Sequence, residues 1–245
     1  MRLVAWNIRA GGGVRADAIA RQIIRWQPDV VNLSEFRATP PSQRIAANLA
    51  EAGFHHQRTT ADPDNPAVNS LLIASRWPLR RMLLQGAPDD ERRWLPVRIA
   101  APRPMAVLGI HVPNRVTGRK PRFLNAVADV LKTWRGPPAI LMGDTNSGRI
   151  GLDEESPAFN RMEDDWLVNL DSMGWPDAFR LEHGLKRAYT WYSPNGRNGF
   201  RLDQMFLHRQ IQPRAERFRY VWAAPRGTRR DALSDHAAML LDLAD

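Results

Sequence analysis

The sequence predicts an α/β (α+β type) fold: a four-layer α/β/β/α sandwich of two packed mixed β-sheets with helices outside. Three observations predict it. The chain opens β-α-β-α, its texture then changes to neighbouring strands, and a second β-rich half again carries an amphipathic helix between strands. At 245 residues and 43% hydrophobic content one large core suffices; with no repeat, low-complexity stretch or linker, 1–245 reads as a single domain.

Leu3 to Ile8 reads as a strand running into the turn Gly11-Gly12-Gly13. Ile19, Ile23, Ile24 and Trp26 recur at helical spacing behind Asp17, until Gln27-Pro28 stops the helix. Asp29 to Leu33 is a short buried strand, and a second helix from about Ser42 carries Ile45 and Leu49 before Gly53. Asn69 to Ser75, Leu95 to Ile99 and Met105 to Val112 are strands. Arg122 to Trp134 is the clearest helix, with Phe123, Val127, Val130, Leu131 and Trp134 on its apolar face, and Gly136-Pro137-Pro138 feeds the buried strand Ala139-Ile140-Leu141-Met142. Ile150 to Asp171 is acidic and irregular, the pattern of solvated loops or helix starts, and is assigned no chemistry. Tyr189 to Tyr192 and Phe200 to Leu207 are strand-like around the hairpin signal 193–199, and Arg214 to Trp222 and Ala237 to Leu243 close the sheets.

Net charge is +9, and all but three of the 35 Lys and Arg residues are arginine. Arginine grips phosphate in a bidentate fork, so a polyanion fits, although an arginine-rich genome writes the same composition. Cysteine is absent, which excludes disulfides, zinc-thiolate sites and thiol nucleophiles, so any metal is held by O and N ligands. The apolar stretch in the first residues is too short for a signal peptide, and no run approaches about 18 apolar residues. A soluble, cytoplasmic, monomeric protein without membrane contact is expected.

Gly143-Asp144-Thr145-Asn146 closes the apolar run at 139–142, placing a carboxylate and an amide where α/β sheets put their chemistry. Alone it is also an ordinary Asx turn. Its company is Trp6-Asn7, Ser34-Glu35, His111-Val112-Pro113-Asn114, Arg201-Leu202-Asp203 and Ser234-Asp235-His236, each at a strand end. Each has a structural alternative: Asn7 caps the glycine turn, Glu35 favours the following helix, and His236 is a satisfied histidine before an edge strand.

Taken in this order the motifs resemble the endonuclease/exonuclease/phosphatase superfamily, in the branch of exonuclease III and the apurinic/apyrimidinic endonucleases, over nearly the whole chain. The resemblance implies a metal-dependent phosphodiesterase acting on DNA. Hydrolysis of a phosphodiester needs an activated water, a cation against the nonbridging oxygens and help for the leaving alkoxide; hard O ligands suit Mg²⁺, with Mn²⁺ as a substitute. The resemblance makes Glu35 the metal carboxylate, Asn7 the amide that orients it, and Asp235 a second metal-side carboxylate. Asp144 activates the water, Asn146 steadies the phosphate, and Asp203 orients His236.

Two departures stand out. Arg9 replaces the Asn or Asp that relatives carry two residues after the first asparagine, removing an oxygen ligand and adding a cation for phosphate. His111 replaces the tyrosine of abasic-site enzymes, as in deoxyribonuclease I, sphingomyelinases and inositol-phosphate phosphatases, and is expected to be a general acid. Asn114, Arg115, Arg119 and Lys120 form a candidate DNA-contacting loop, as do Arg226, Arg229 and Arg230. Trp191 with Tyr192, and Phe200, resemble an aromatic pocket for an extruded sugar, although paired-strand aromatics are more often core. The strand from Asn69 to Arg76 reads as scaffold, with Asn69 a candidate phosphate contact, and His55, His56, His183 and His208 read as surface residues. Left open are a small phosphoester, a lipid head group or RNA as substrate, and a catalytically silent DNA-binding protein.

Overall fold

The computed structural model describes residues 1–195, 197–224, 229 and 232–244. Its strands are β1 (Arg2–Asn7), β2 (Val30–Phe36), β3 (His56–Thr59), β4 (Ser70–Ser75), β5 (Leu79–Arg81), β6 (Trp94–Ile99), β7 (Met105–His111), β8 (Ala139–Asp144), β9 (Trp191–Tyr192), β10 (Gly199–Phe200), β11 (Asp203–Leu207), β12 (Ala215–Val221) and β13 (Ala238–Leu243). The helices are α1 (Ala16–Arg25), α2 (Pro40–Glu51), α3 (Lys120–Lys132), α4 (Arg161–Ser172) and α5 (Ala178–His183).

Two mixed sheets form, ordered β12-β13-β1-β2-β4-β3 and β11-β8-β7-β6-β5, beside the two-stranded ribbon β9-β10. Each has one parallel pair joined by a helical crossover, β1-α1-β2 in the first and β7-α3-β8 in the second; the other pairings are antiparallel. The inner faces meet in one apolar layer that includes Leu3, Ala5, Leu71 and Ile73 from the first sheet and Val97, Val107, Ile140 and Met205 from the second. A second cluster packs α3 and α4 on the outside of β7 and β8, and a third packs α1 and α2 outside β1 and β2. The four layers of the sequence expectation are therefore present. Among the described residues no helix is long and apolar enough to cross a membrane.

Local differences from the sequence expectation have physical causes. β3, β5 and α5 are too short or too polar to announce themselves; α5 is held by Asp177, whose side chain accepts from Phe179 N and Arg180 N. The expected strand 200–207 is split into β10 and β11, because Thr190 Oγ1 accepts from both Leu202 N and Asp203 N and occupies donors of a continuing ladder. The acidic stretch is not all solvated: Asp153, Glu154 and Glu163 are buried, and Glu154 accepts from Gly151 N, Ala158 N and Phe159 N. His208 is buried against the Trp175 ring, not on the surface. Arg226 and Arg230 lie outside the described residues.

Candidate active site

The parallel pairs aim the ends of β1, β2, β7 and β8 at one edge of the seam between the sheets. On the second sheet, Asp144 is the cross-strand partner of both His111 on β7 and Asp203 on β11, so the three form a single row. Gly143 makes that row possible. Its φ is +149°, and a Cβ there would lie 1.9 Å from the Ile110 carbonyl oxygen.

The first sheet meets this row with Asn7 and Glu35. Glu35 has a positive φ of 58°, and the β2–β4 register shifts between Ser34 and Phe36. This bulge turns a side chain that strict alternation would aim at the outer helices toward the seam. The Glu35 carboxylate accepts from Ala10 N at 2.7 Å and from Asn7 Nδ2 at 3.3 Å. Asn7 Nδ2 also donates to Asp144 Oδ2 at 3.0 Å, so one buried amide ties the carboxylates of the two sheets together. Residues 9–13, all at positive φ, wrap the Asn7 end of β1, and a Cβ at Gly12 would lie 2.9 Å from Ile45. Arg9 N donates to Asn7 Oδ1, which fixes the amide's orientation.

His236 enters just before β13. Trp6 Nε1 donates to its carbonyl, and Ser234 Oγ donates to Asn7 O at 2.6 Å. Its Nδ1 lies 2.8 Å from Asp203 Oδ2. Burial disfavours the imidazolium, but Asp203, Asp144 and Asp235 together push its pKa up to about 10, so it is charged at neutral pH. Burial and the neighbouring Asp203 push Asp144 up to about 7, against the opposing effects of His236, Asn146 N and Asn7. His111 goes the other way: burial, then Arg93 and His236, hold it well below its ordinary value. Its Nε2 lies 3.7 Å from Asp144 Oδ2; held neutral, His111 is weakened as the general acid the sequence suggests, and His236 is the charged imidazole of the two.

Asn146 has a left-handed backbone, φ 47°; its N–H donates to Asp144 Oδ1 at 2.9 Å and its Nδ2 to Val112 O at 2.8 Å. Asp235 is half-exposed, with its Oδ2 3.8 Å from Arg9 Nε in a loose, solvent-screened pair. Trp191 is half-buried and bridges to His236 through its backbone. Phe200 is buried between Phe159 and Trp191, with ring centroids 5.9 and 6.0 Å away, and so packs instead of facing a ligand. Asn114 is exposed, Arg115 is half-exposed but paired with Glu163, and Lys120 is buried, so one cation of the expected DNA-facing loop points inward and another is tied to a carboxylate. Asn69 Oδ1 accepts from Arg37 Nε at 2.7 Å, and Arg229 stacks on Tyr192 at 3.8 Å from the ring centroid.

Sequence reasoning missed Arg93, which donates to His111 O and feels the charge of Asp144 and Glu35. Its only sequence signal was the run Glu91-Arg92-Arg93 entering a strand. Asp144 and Asp203 are buried side by side, so burial first and Asp203 second raise Asp144 even though His236 and Arg93 bring positive charge to the site. Ligand atoms of Asp144, Asp203 and His236 lie within 4.8 Å of one another. That histidine is charged and bound to Asp203, so a hard cation fits the oxygens of Glu35, Asn7 and Asp144 better.

A family model described as Endonuclease/Exonuclease/phosphatase family matches residues 4–236. The chain belongs to that family. Membership makes it a hydrolytic phosphodiesterase. Among solved structures, the chain is similar to a 3′ phosphatase, NExo, from Neisseria bound to a product DNA hairpin, with 20% identity, TM-score 0.82 and full coverage of both chains. An AP endonuclease from Archaeoglobus fulgidus gives 19% identity, TM-score 0.81 and 99% coverage of each chain. The APE2 catalytic domain of Xenopus laevis gives 16% identity and TM-score 0.73, covering 100% of this chain and 94% of its own. No curated protein sequence matches.

Proposed function

We propose that this chain is a Mg²⁺-dependent phosphodiesterase of the DNA backbone, cutting at abasic sites or trimming 3′ ends. The observation that carries the reading is the Asn7 amide bridging Glu35 and Asp144, beside the charged Asp203–His236 pair, at the seam of the sheets. A divalent cation held by Glu35 with Asn7 would supply positive charge against the nonbridging oxygens. The chain's own residues do the rest. Asp144, ionised above a pKa of about 7, accepts the proton of the attacking water; Asn7 and Asn146 N hold its two oxygens in place. The His236 imidazolium, fixed by Asp203, stabilises charge on the phosphoryl oxygens. His111 orients the phosphate as a neutral donor, and Arg9 and Arg93 flank it as cations. The net charge of +9 and the DNA-bound neighbour support a nucleic-acid substrate.

End-labelled duplex DNA, with and without one abasic analogue, is incubated with Mg²⁺ or EDTA. Mg²⁺-dependent cleavage that Asp144→Asn abolishes is the expected result, and product lengths separate abasic incision from 3′ trimming. DNA left intact in every lane overturns the reading.

A further inference from the structure

By sequence Glu163 belongs to an acidic run of solvated loops or helix starts, and it does start α4, while Arg115 and Lys120 read as DNA-facing cations. The three instead meet in one polar node, in which Glu163 and Lys120 are buried and Arg115 closes the solvent side. Glu163 is the third residue of α4 and closes a capping box with Asn160, accepting from Asn160 N at 2.9 Å while its own N–H donates to Asn160 Oδ1 at 3.1 Å. Its side chain has no exposed surface, and it is gripped by both Arg115 and Lys120. Lys120, the first residue of α3, is 3% exposed at its side chain, and its Nζ donates a second bond to the backbone carbonyl of Asn146. One carboxylate therefore joins α4, α3 and the loop after His111. One ammonium joins that node to the left-handed residue two positions beyond Asp144.

We infer that Lys120 and Glu163 are positioning residues for the reaction, holding the Asn146 backbone in its left-handed turn and setting the Asn114 loop against the same strand end. The geometry argues against a direct contact with substrate. The Lys120 ammonium is almost wholly buried, with two of its three N–H donors taken by Glu163 and the Asn146 carbonyl, and Arg115 commits Nε and Nη2 to Glu163. Asn146 in turn donates its backbone N–H to Asp144. Loosening the carbonyl thus frees a hydrogen bond on the proposed base without touching the substrate. The inference rests on the phosphodiesterase reading for its kinetic arm alone.

The test uses Lys120→Met, Glu163→Gln and the milder Arg115→Ala, each checked for cooperative melting. On labelled duplex, Lys120→Met and Glu163→Gln should lower kcat about 10- to 100-fold, the range found when groups that orient catalytic ligands are removed, with KM little changed. DNA affinity measured in an Asp144→Asn background should keep its salt slope, whereas loss of a phosphate contact lowers that slope by about 0.9 on duplex. Amide hydrogen exchange supplies a substrate-free readout: residues 144–148 should exchange faster in Glu163→Gln and, to a smaller extent, in Arg115→Ala. A reduced salt slope with unchanged kcat would make Lys120 a phosphate ligand and overturn the inference. Wild-type protein that leaves DNA intact defeats the substrate reading separately. The clamp is then judged by exchange, and unchanged protection at 144–148 sinks it.

Discussion

Two buried charge clusters lie one residue apart along the chain and are built on opposite principles. Arg201 is 1% exposed; its Nε and Nη2 clasp both oxygens of Asp153 at 2.7 and 3.0 Å, and its Nη1 reaches Asp177 at 2.5 Å. Arg180 adds a second cation to Asp153, so two guanidinium groups face two carboxylates. Burial opposes every charge there, yet the partners hold Asp153 below its ordinary value and Arg201 above its own. Asp203, two residues later, belongs to the other cluster, where Asp144 and Asp203 share the His236 imidazolium and Asp144 is pushed upward. Where charges balance, burial builds scaffold. Where one sign is left over, the fold carries an unfavourable term that a bound cation would relieve.

The contrast is broken most sharply by removing Asp144. Asp144→Asn should lower kcat by about 10² to 10⁴, the usual worth of a general base, while leaving the melt cooperative; DNA turnover and calorimetry on one preparation check both. The matched change in the balanced cluster, Arg201→Met, leaves two aspartates without their main counter-ion and should cost about 3–5 kcal/mol of stability, read from the urea midpoint. A loss below about 1 kcal/mol would mean that the cluster is neither tightly built nor dry. Next in size is the metal. Mg²⁺ at about 100 times its Kd should stabilise the wild type by about 2.7 kcal/mol, and Glu35→Gln should abolish that gain in a thermal-shift titration.

The pH dependence has opposite signs in the two clusters. Asp144 rises from an ordinary 3.8 to about 7, so the native state holds the extra proton between those values and stability falls as pH rises through that window. Asp144→Asn should therefore melt higher than wild type at pH 8, by about 2–4 °C for each kcal/mol relieved, and no higher near pH 4. Asp153, held below 3.8, contributes stability above that pH and loses it as pH falls through its depressed value. His236 contributes stability that is full below 6.5 and lost as pH rises through about 10. Melting temperatures of wild type and Asp144→Asn between pH 4 and 9 test the first sign.

Most of the candidate site was legible because the relevant residues sit at the ends of apolar runs, where local pattern and strand chemistry coincide: Asn7, His111, Asp144 and His236 needed no knowledge of distant contacts. What the pattern hid is what depends on partners far along the chain. Arg201 meets Asp153 across 48 residues and Lys120 meets Glu163 across 43, so inward-facing charges looked like surface ones. The aim of Glu35 depends on a bulge, a backbone event without a residue signature. Among the elements, long amphipathic segments such as α1 and α3 were readable, whereas β5, with three residues, and α5, with six, take their form from the sheets they border.

The Asn7 amide spans the gap between the sheets, with one hydrogen on each side's carboxylate. Neither sheet alone contains the whole site, so catalytic competence needs the sheets to be seated on each other as well as formed. A compact state with both sheets formed but their interface fluid would keep its far-UV signal and lose turnover, because a misplacement of about 1 Å at a reacting group costs on the order of 10² in rate. Turnover in this chain is therefore a ruler laid across its own midline, more sensitive to how the two halves seat than any measure of how much strand they contain.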